Sequence, residues 1–227
     1  EFENFMDKRV GSNSSIWKKE DRIAEKNKEN IQRRKKFLEK YLKKNSNILE
    51  VGCSSGFMLD ELRTVGRKCY GIEPSNLFKK ILKRKGYKIF DNINKIKENK
   101  IDIDLIIHFF VFEHIVNPYK FLEEQLDLLK KNGKIIFEIP CYLDPLTAVY
   151  KNKAFEKFYW SVAHPYYYSP SSISKLIEKV DMNIKYQIYK DQRYDLSNHL
   201  YWLLKGKPGG QNFYKFLSKK TINSYKN

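Results

Sequence analysis

The sequence predicts an α/β protein in which a doubly wound, mostly parallel sheet has helices on both faces. Three observations lead to this prediction. Short apolar runs alternate with amphipathic segments between residues 47 and 140, a glycine turn (residues 52–56) follows the first run, and Glu73 ends the second run. Alternation of this kind produces a parallel sheet, because each helix returns the chain across one face of the sheet. A chain of 227 residues can form this as one domain.

The individual elements follow from apolar periodicity and from residues that end helices. Residues 1–15 are polar, and residues 16–44 predict one or two helices before the first strand. The elements predicted next are strand 47–51, helix 57–65, strand 68–72, helix 75–85, strand 87–90, strand 103–109, helix 118–131 and strand 134–139. Gly66, Gly86 and Gly133 are expected to end the three helices.

The pattern changes after Pro140, where aromatic residues become frequent up to Tyr168. This segment predicts a helical insertion or lid. The Ser-Pro-Ser-Ser run that starts at Ser169 is typical of a helix start and predicts a helix from about residue 171 to 180. A strand at 183–189 and helical pieces at 196–205 and 213–220 complete the prediction.

The composition limits the classes of function. The formal net charge is +17, but only eight of the 44 basic residues are arginine, and the lysines are spread along segments with acidic neighbours. This distribution favours a solvated surface and an anionic small substrate over a nucleic acid. The longest apolar run, residues 105–112, is shorter than the roughly 18 to 20 residues that cross a bilayer. Three cysteines without metal-ligand spacing complete the prediction of a cytoplasmic protein without a membrane segment.

The glycine turn has the chemistry of a nucleotide site. Gly52 and Gly56 are expected to let the backbone come close to a ligand, and the helix that begins near Phe57 presents unpaired N–H groups. Glu73 lies at the spacing at which a carboxylate accepts the two ribose hydroxyls of a bound nucleoside.

These residues resemble a known family. The run Glu50-x-Gly52-x-Ser54-x-Gly56 resembles motif I of class I S-adenosylmethionine (SAM) methyltransferases, with Ser54 in place of the middle glycine. Residues 102–115, which contain a Phe-Glu-His turn, resemble the fourth-strand segment of that family. Residues 132–140 resemble its fifth-strand segment.

The resemblance implies a Rossmann-like class I methyltransferase with SAM as its cofactor. It implies a single methyltransferase domain over 1–227, with an N-terminal helical extension at 1–45, a SAM-binding core at 46–140 and an acceptor cap at 141–227. The family's final antiparallel strand is not recognisable in the sequence.

The resemblance also implies the cofactor-binding residues. They are Glu50, Gly52, Cys53, Ser54, Gly56, Phe57, Glu73, Pro74, Asp91, Asn92, His108 and Phe109. Within this set Glu50 orders the loop and the amino group of SAM, and Glu73 binds the ribose. The turn at Asp91 faces the adenine, and His108 lies near the reactive end.

The acceptor side is predicted from histidines and aromatic residues. His114, His164 and His199 are the candidate catalytic bases, because an imidazole titrates near neutral pH. The candidate substrate-binding residues are Glu113, Tyr167, Arg193, Tyr194 and Asn198. The spacing of histidines and carboxylates predicts no metal site.

The predicted function is methyl transfer from SAM to a small, anionic acceptor, either a nucleotide-activated sugar or another phosphorylated precursor of a surface polysaccharide. O-methylation is favoured over C-methylation. The alternatives are an RNA methyltransferase, a noncatalytic SAM-binding partner protein and, disfavoured by the glycine order, a nicotinamide oxidoreductase. The oligomeric state is not predicted.

Overall fold

The computed structural model describes residues 28–65, 67–143 and 163–180, together with positions 153, 156, 160, 182, 194–195, 201, 204–205 and 221–222. Helix α1 covers residues 28–38 of this part and continues into a 3-10 turn at Glu39–Tyr41. The elements that follow are β1 (Asn47–Val51), α2 (Phe57–Arg63), β2 (Lys68–Ile72), α3 (Asn76–Arg84), β3 (Lys88–Phe90), α4 (Ile93–Glu98), β4 (Ile103–Phe109), a 3-10 turn (Phe112–His114), α5 (Pro118–Leu126), β5 (Leu129–Glu138), α6 (Pro170–Glu178), β6 (Tyr194–Asp195) and β7 (Thr221–Ile222).

Polar side chains begin several of the helices. The side chains of Asn92 and Asn117 accept hydrogen bonds from backbone N–H groups in the first turns of α4 and α5. Ser169 forms a capping box with Ser172 at the start of α6, where Pro170 occupies the first turn. Each cap satisfies an N–H group that has no partner within the helix.

Five parallel strands form the main sheet in the order β3-β2-β1-β4-β5. In the register, Val51 at the end of β1 is paired with Ile72 on one side and with His108 on the other. The carboxyl ends of the central strands therefore meet at one edge, where ligands bind in sheets of this type. The central strands are almost completely apolar, and Leu49, Ile106 and their neighbours are fully buried.

The structure confirms the mostly parallel α/β sheet, and three predicted strands, 47–51, 68–72 and 103–109, have the observed bounds. Gly86 lies just after α3 with φ +78°, as expected for a residue that ends a helix. Gly66 lies outside the described residues.

Two boundaries are corrected. The helix predicted at 118–131 ends at Leu126, and β5 already begins at Leu129. Gly133 lies inside β5 and does not end a helix. The register of β4 with β5 shifts between Ile103 and Leu105, so β5 contains an irregularity that places its polar residues on the exposed side. Helix α4 was not predicted.

The chain divides into two compact units. The first unit contains the five-stranded sheet, extends to Phe112 and resumes at Asn117–Ile139. The second unit contains Glu113–Val116 and the residues from Pro140 onward. In the second unit Tyr142 N donates a hydrogen bond to Tyr168 O at 2.8 Å, which holds the segment before α6 against the chain that follows β5. Among the described residues, no helix has the length and apolar character needed to cross a bilayer.

Candidate active site

The glycine turn between β1 and α2 is fastened to the end of β2. The N–H groups of Gly52 and Cys53 both donate to Ile72 O, at 2.8 and 3.3 Å, and Gly56 N donates to Cys53 O at 2.8 Å. The turn uses the left-handed backbone region at Gly52 (φ +69°), at Ser54 (φ +50°) and at Gly56 (φ +82°). A short strand therefore passes into a helix within five residues.

Packing within the protein requires both glycines. A Cβ atom at Gly52 would lie 2.5 Å from Val111 Cγ2, and one at Gly56 would lie 2.6 Å from Leu82 Cδ2. The sequence-based interpretation assigned the glycines to close approach by a ligand. The structure gives them a structural reason that applies with or without a ligand, because each position combines a positive φ with a filled neighbouring volume.

Glu73 connects the glycine turn to the start of α3. One carboxylate oxygen accepts a hydrogen bond from Ser54 N at 2.7 Å, and the other accepts one from Ser75 N at 2.9 Å. The residue is buried. A carboxylate oxygen can accept two hydrogen bonds, and hydroxyl groups such as those of a ribose are suitable donors to it.

Glu50, at the carboxyl end of β1, is a buried carboxyl group with an unsatisfied oxygen. Its Oε2 atom has no hydrogen-bond partner among the described residues. Burial raises the pKa of Glu50 from 4.5 to about 8; the charge of Arg34 opposes this shift and that of Glu73 adds to it. A cationic ligand at this carboxyl would supply the partner that the described residues do not. An amino group or sulfonium, as in SAM, fits that requirement.

Helix α1 contributes Arg34, which the sequence-based analysis did not identify. Arg34 donates to Glu138 at the end of β5 through Nε at 2.9 Å and through Nη2 at 2.6 Å. Its guanidinium carbon lies 4.1 Å from the centre of the Phe109 ring, in cation–π geometry. Burial alone would raise the pKa of Glu138, but hydrogen bonds and charge from Arg34 and Arg33 outweigh it and lower that pKa. In the sequence, only the two adjacent arginines in a segment predicted to be helical could have indicated this contact with Glu138.

His108 occupies a different environment from the one predicted. It is fully buried, and neither ring nitrogen has a hydrogen-bond partner among the described residues. Its ring stacks on Phe137 with centroids 4.9 Å apart, and the rings of Phe112 and Phe121 lie within 6 Å. Burial lowers the pKa of His108 from 6.5 to about 3. In the described residues His108 is a ring of an aromatic cluster, and its contact with a cofactor stays a prediction.

The turn after β3 also differs from a simple ligand-facing turn. The Asn92 side chain accepts a hydrogen bond from Lys95 N and so caps α4. Asp91 is exposed and pairs with Lys79 at 2.6 Å, and this hydrogen bond lowers the pKa of Asp91. Of the other predicted cofactor residues, Cys53 is buried, whereas Phe57 and Pro74 are partly exposed beside the turn and Glu73.

Two of the three predicted catalytic histidines lie together in the second unit. The ring centroids of His114 and His164 are 4.5 Å apart. His114 Nδ1 is 2.8 Å from Ala163 O, and His164 Nδ1 is 3.0 Å from the Tyr167 hydroxyl. His199 lies outside the described residues.

Glu113 completes this group. It is buried, and its Oε2 atom has no hydrogen-bond partner among the described residues. Burial raises the pKa of Glu113 from 4.5 to about 7. Glu113, His114 and His164 each place one potential ligand atom within 4.8 Å of the others. The sequence did not predict this arrangement, because His164 is distant from the other two residues along the chain.

The remaining substrate predictions are only partly located. Tyr167 contacts His164, and its ring also lies edge-on to Trp160 with centroids 4.6 Å apart. Tyr194 belongs to β6, where its backbone pairs with Ile222 of β7. Arg193 and Asn198 lie outside the described residues, as do the whole predicted strand 183–189, the whole helical piece 213–220 and most of the helical piece 196–205.

The class of protein follows from the fold and from comparison with known proteins. A family model described as a methyltransferase domain matches residues 23–187. The chain therefore belongs to the methyltransferase domain family. The sequence-based prediction of a methyltransferase domain is confirmed at this level.

Similar proteins agree with this class. An uncharacterized methyltransferase of Bacillus cytotoxicus is 32% identical over 103 residues, which is 43% of this chain and 49% of that protein. The chain thus spans about half the length of the curated relatives it matches. A SAM-dependent methyltransferase from Archaeoglobus fulgidus has a similar fold, with a TM-score of 0.52, 20% identity and coverage of 70% of this chain and 72% of that one. A methyltransferase structure from Bacillus halodurans C-125 gives a TM-score of 0.56 at 15% identity, covering 77% and 84% of the two chains.

Proposed function

We propose that this protein transfers a methyl group from SAM to a small, anionic acceptor. The acceptor is a nucleotide-activated sugar or another phosphorylated precursor of a surface polysaccharide, and the methylated atom is oxygen in preference to carbon. The observation that carries the donor side of this proposal is the buried carboxyl of Glu50, whose unsatisfied oxygen lies at the end of β1 beside the glycine turn.

Two carboxyl groups have complementary roles in binding the donor. Glu50 faces the cationic methionine end, because a positive group there compensates a carboxylate that is otherwise costly to ionise. Glu73 accepts the ribose hydroxyls while it keeps the turn closed through Ser54 N and Ser75 N. SAM supplies an activated methyl group on a good, neutral leaving group.

The chain's part in the reaction is therefore to position the reactants and to remove a proton. An oxygen acceptor becomes a better nucleophile when a base takes its proton. His114 and His164 are the candidate bases on the described residues, and His199 is the third candidate. The Nδ1 atom of His114 faces a carbonyl oxygen, so it carries the proton in the neutral ring, and Nε2 has the lone pair that a base needs.

The charge of the chain supports the anionic acceptor. A formal net charge of +17 creates a positive field that attracts phosphorylated metabolites. The same charge favours the main alternative, an RNA methyltransferase. The two differ in salt dependence, since neutralising several RNA phosphates would make affinity fall steeply with salt concentration.

Calorimetry tests the donor. The protein is titrated with SAM, its demethylated product and NAD. We expect binding of the first two and not of NAD, and a loss of SAM binding in Glu73→Ala. The matched control is Glu98→Ala, which removes an exposed carboxylate from α4 of the same unit. Preference for NAD, or equal SAM affinity in Glu73→Ala and the control, would contradict the proposal.

A methyl-transfer screen tests the acceptor. Radiolabelled SAM is incubated with nucleotide sugars, phosphorylated small molecules and short RNAs at low and high salt. Transfer to a nucleotide sugar supports the proposal. Transfer only to RNA supports the alternative, and SAM binding without transfer to any acceptor indicates a noncatalytic partner. Unchanged turnover in His114→Ala, His164→Ala and His199→Ala would remove the catalytic-base assignment.

A further inference from the structure

The second unit contains a group of three potential metal ligands. Glu113 and His114 belong to the 3-10 turn Phe112–His114, and His164 lies in the loop before α6. One ligand atom of each lies within 4.8 Å of the others, so small side-chain movements would bring the three atoms onto one metal ion.

The carboxyl group of Glu113 is buried and has no ion pair recorded among the described residues. Its side chain is 2% exposed, and its Oε2 atom has no hydrogen-bond partner among the described residues. None of the ion pairs recorded for those residues involves Glu113. A carboxyl group buried in this way is stabilised either by a proton or by a bound cation.

The hydrogen bonds of the two histidines orient their rings as in metal sites. His114 Nδ1 is 2.8 Å from Ala163 O, and because a carbonyl can only accept, this nitrogen carries the proton. The lone pair of the neutral His114 ring is then on Nε2. His164 Nδ1 is 3.0 Å from the Tyr167 hydroxyl, which can donate or accept, and metal binding through Nε2 requires that the hydroxyl accept. Ligating histidines are typically fixed by such a partner on the other ring nitrogen.

We propose that Glu113, His114 and His164 bind one divalent transition-metal ion of the zinc class. Two imidazole nitrogens and one carboxylate oxygen suit zinc and its neighbours, whereas magnesium and calcium prefer sites made of oxygen atoms. Three protein ligands leave at least one coordination position for another group. Its use would rest on the proposed function: a hydroxyl of the acceptor bound there would be more acidic and would release its proton to water, while the two histidines would bind the metal and would not act as bases.

Metal titration of the tag-free full chain, after treatment with a chelator and dialysis, tests the site. Calorimetry with zinc chloride and with magnesium chloride measures affinity, and the visible absorption of added cobalt(II) reports the coordination geometry. We expect one zinc ion per chain, a cobalt spectrum typical of low coordination number, and no measurable binding of magnesium at the same concentration.

Variants separate this site from adventitious binding. Glu113→Gln and His164→Ala should weaken zinc binding by more than about 100-fold, and Tyr167→Phe, which removes the hydroxyl next to His164 Nδ1, by about 10-fold. The matched control is Glu178→Gln, an exposed glutamate of α6 in the same unit, with unchanged affinity expected. Glu113→Gln keeps the side-chain volume, and thermal unfolding of each variant verifies that it is folded. Should His164→Ala fail to fold, Glu113→Gln and Tyr167→Phe still decide the question.

Saturable zinc binding that is lost in Glu113→Gln supports the inference. Absence of zinc binding, or equal binding by the wild type and Glu113→Gln, overturns it. SAM binding measured in the presence of the chelator keeps the two proposals distinguishable. SAM binding without zinc binding overturns only the metal site, and zinc binding without SAM binding overturns only the proposed donor.

Discussion

Replacing Glu50 by glutamine should make the protein more stable while it weakens donor binding. Burial raises the pKa of the Glu50 carboxyl from 4.5 to about 8 in the folded protein, against the opposing charge of Arg34. Between these two values the folded protein holds a proton that the unfolded chain has released. The free energy of unfolding therefore falls as pH rises through this window.

The magnitude follows from the shift. Each pH unit within the window costs the folded state about 1.4 kcal/mol. At pH 7 Glu50 should therefore destabilise the protein by on the order of 3 kcal/mol relative to a side chain that does not ionise, and above pH 8 by on the order of 5 kcal/mol. Glutamine has nearly the same shape and no charge, so the Glu50→Gln variant should recover this energy, with no difference expected near pH 4.5.

Urea unfolding of both proteins at pH 5, 6, 7 and 8, followed by tryptophan fluorescence, measures the difference. The matched control is Glu123→Gln on the exposed side of α5, for which a change below about 0.5 kcal/mol is expected at every pH. Calorimetry should show weaker SAM binding by Glu50→Gln, and SAM binding by the wild type should tighten as pH rises toward 8. A stability difference that does not vary with pH, or a variant less stable than the wild type at pH 7, would refute the reasoning.

Three further changes test the glycine turn and the aromatic cluster. Ser54→Gly should raise the free energy of unfolding by about 0.5 to 1 kcal/mol, because a residue with a Cβ is strained at φ +50°; a loss of stability in urea would contradict this. Gly52→Ala should cost about 2 kcal/mol or more, since the new Cβ would lie 2.5 Å from Val111 Cγ2. A double-mutant cycle with Val111→Ala should recover part of that loss, and strict additivity would exclude the steric explanation. His108→Phe should remove a sensitivity to acid, because burial lowers the pKa of His108 from 6.5 to about 3. As pH falls below 6.5, the unfolded chain binds a proton that the folded wild type excludes, at a cost of about 1.4 kcal/mol per pH unit. Parallel acid-unfolding profiles of the wild type and His108→Phe would be incompatible with this.

The parts of the fold that were predictable from the sequence are those with strong local signals. The run at 47–51 is apolar and is followed at once by a tight turn, so its bounds are fixed by adjacent residues. The start of β5 was placed too late because Lys130, Lys131 and Asn132 are polar and continue what looks like a helix surface. The irregular pairing of β5 with β4 tolerates those residues on an exposed strand, and only the tertiary register reveals this.

The residues of the candidate site also differ in how well the sequence predicts their positions. The positions of Glu50 and Glu73 were predictable because Glu50 lies one residue before the end of β1 and Glu73 directly follows β2, at the same edge of a parallel sheet, and their binding of a cofactor stays a prediction. Glu113 and His164 lie close together because a loop that is distant along the chain folds back within the second unit, and no local sequence pattern predicts this proximity. The position of His108 on β4 was predictable, but its burial among phenylalanine rings was not, because those rings come from other elements.

The paired arginines of α1 limit how far the protein can be shortened before the first strand. Glu138 is mostly buried, and its partners Arg33 and Arg34 both come from the segment that precedes the first strand. A shortened protein that started at residue 46 would retain all five strands but would lose both cations, and an isolated carboxylate in such a place costs about 3 to 5 kcal/mol. The leading helix is therefore an integral part of the unit that contains the sheet, and a stable shortened protein has to include it.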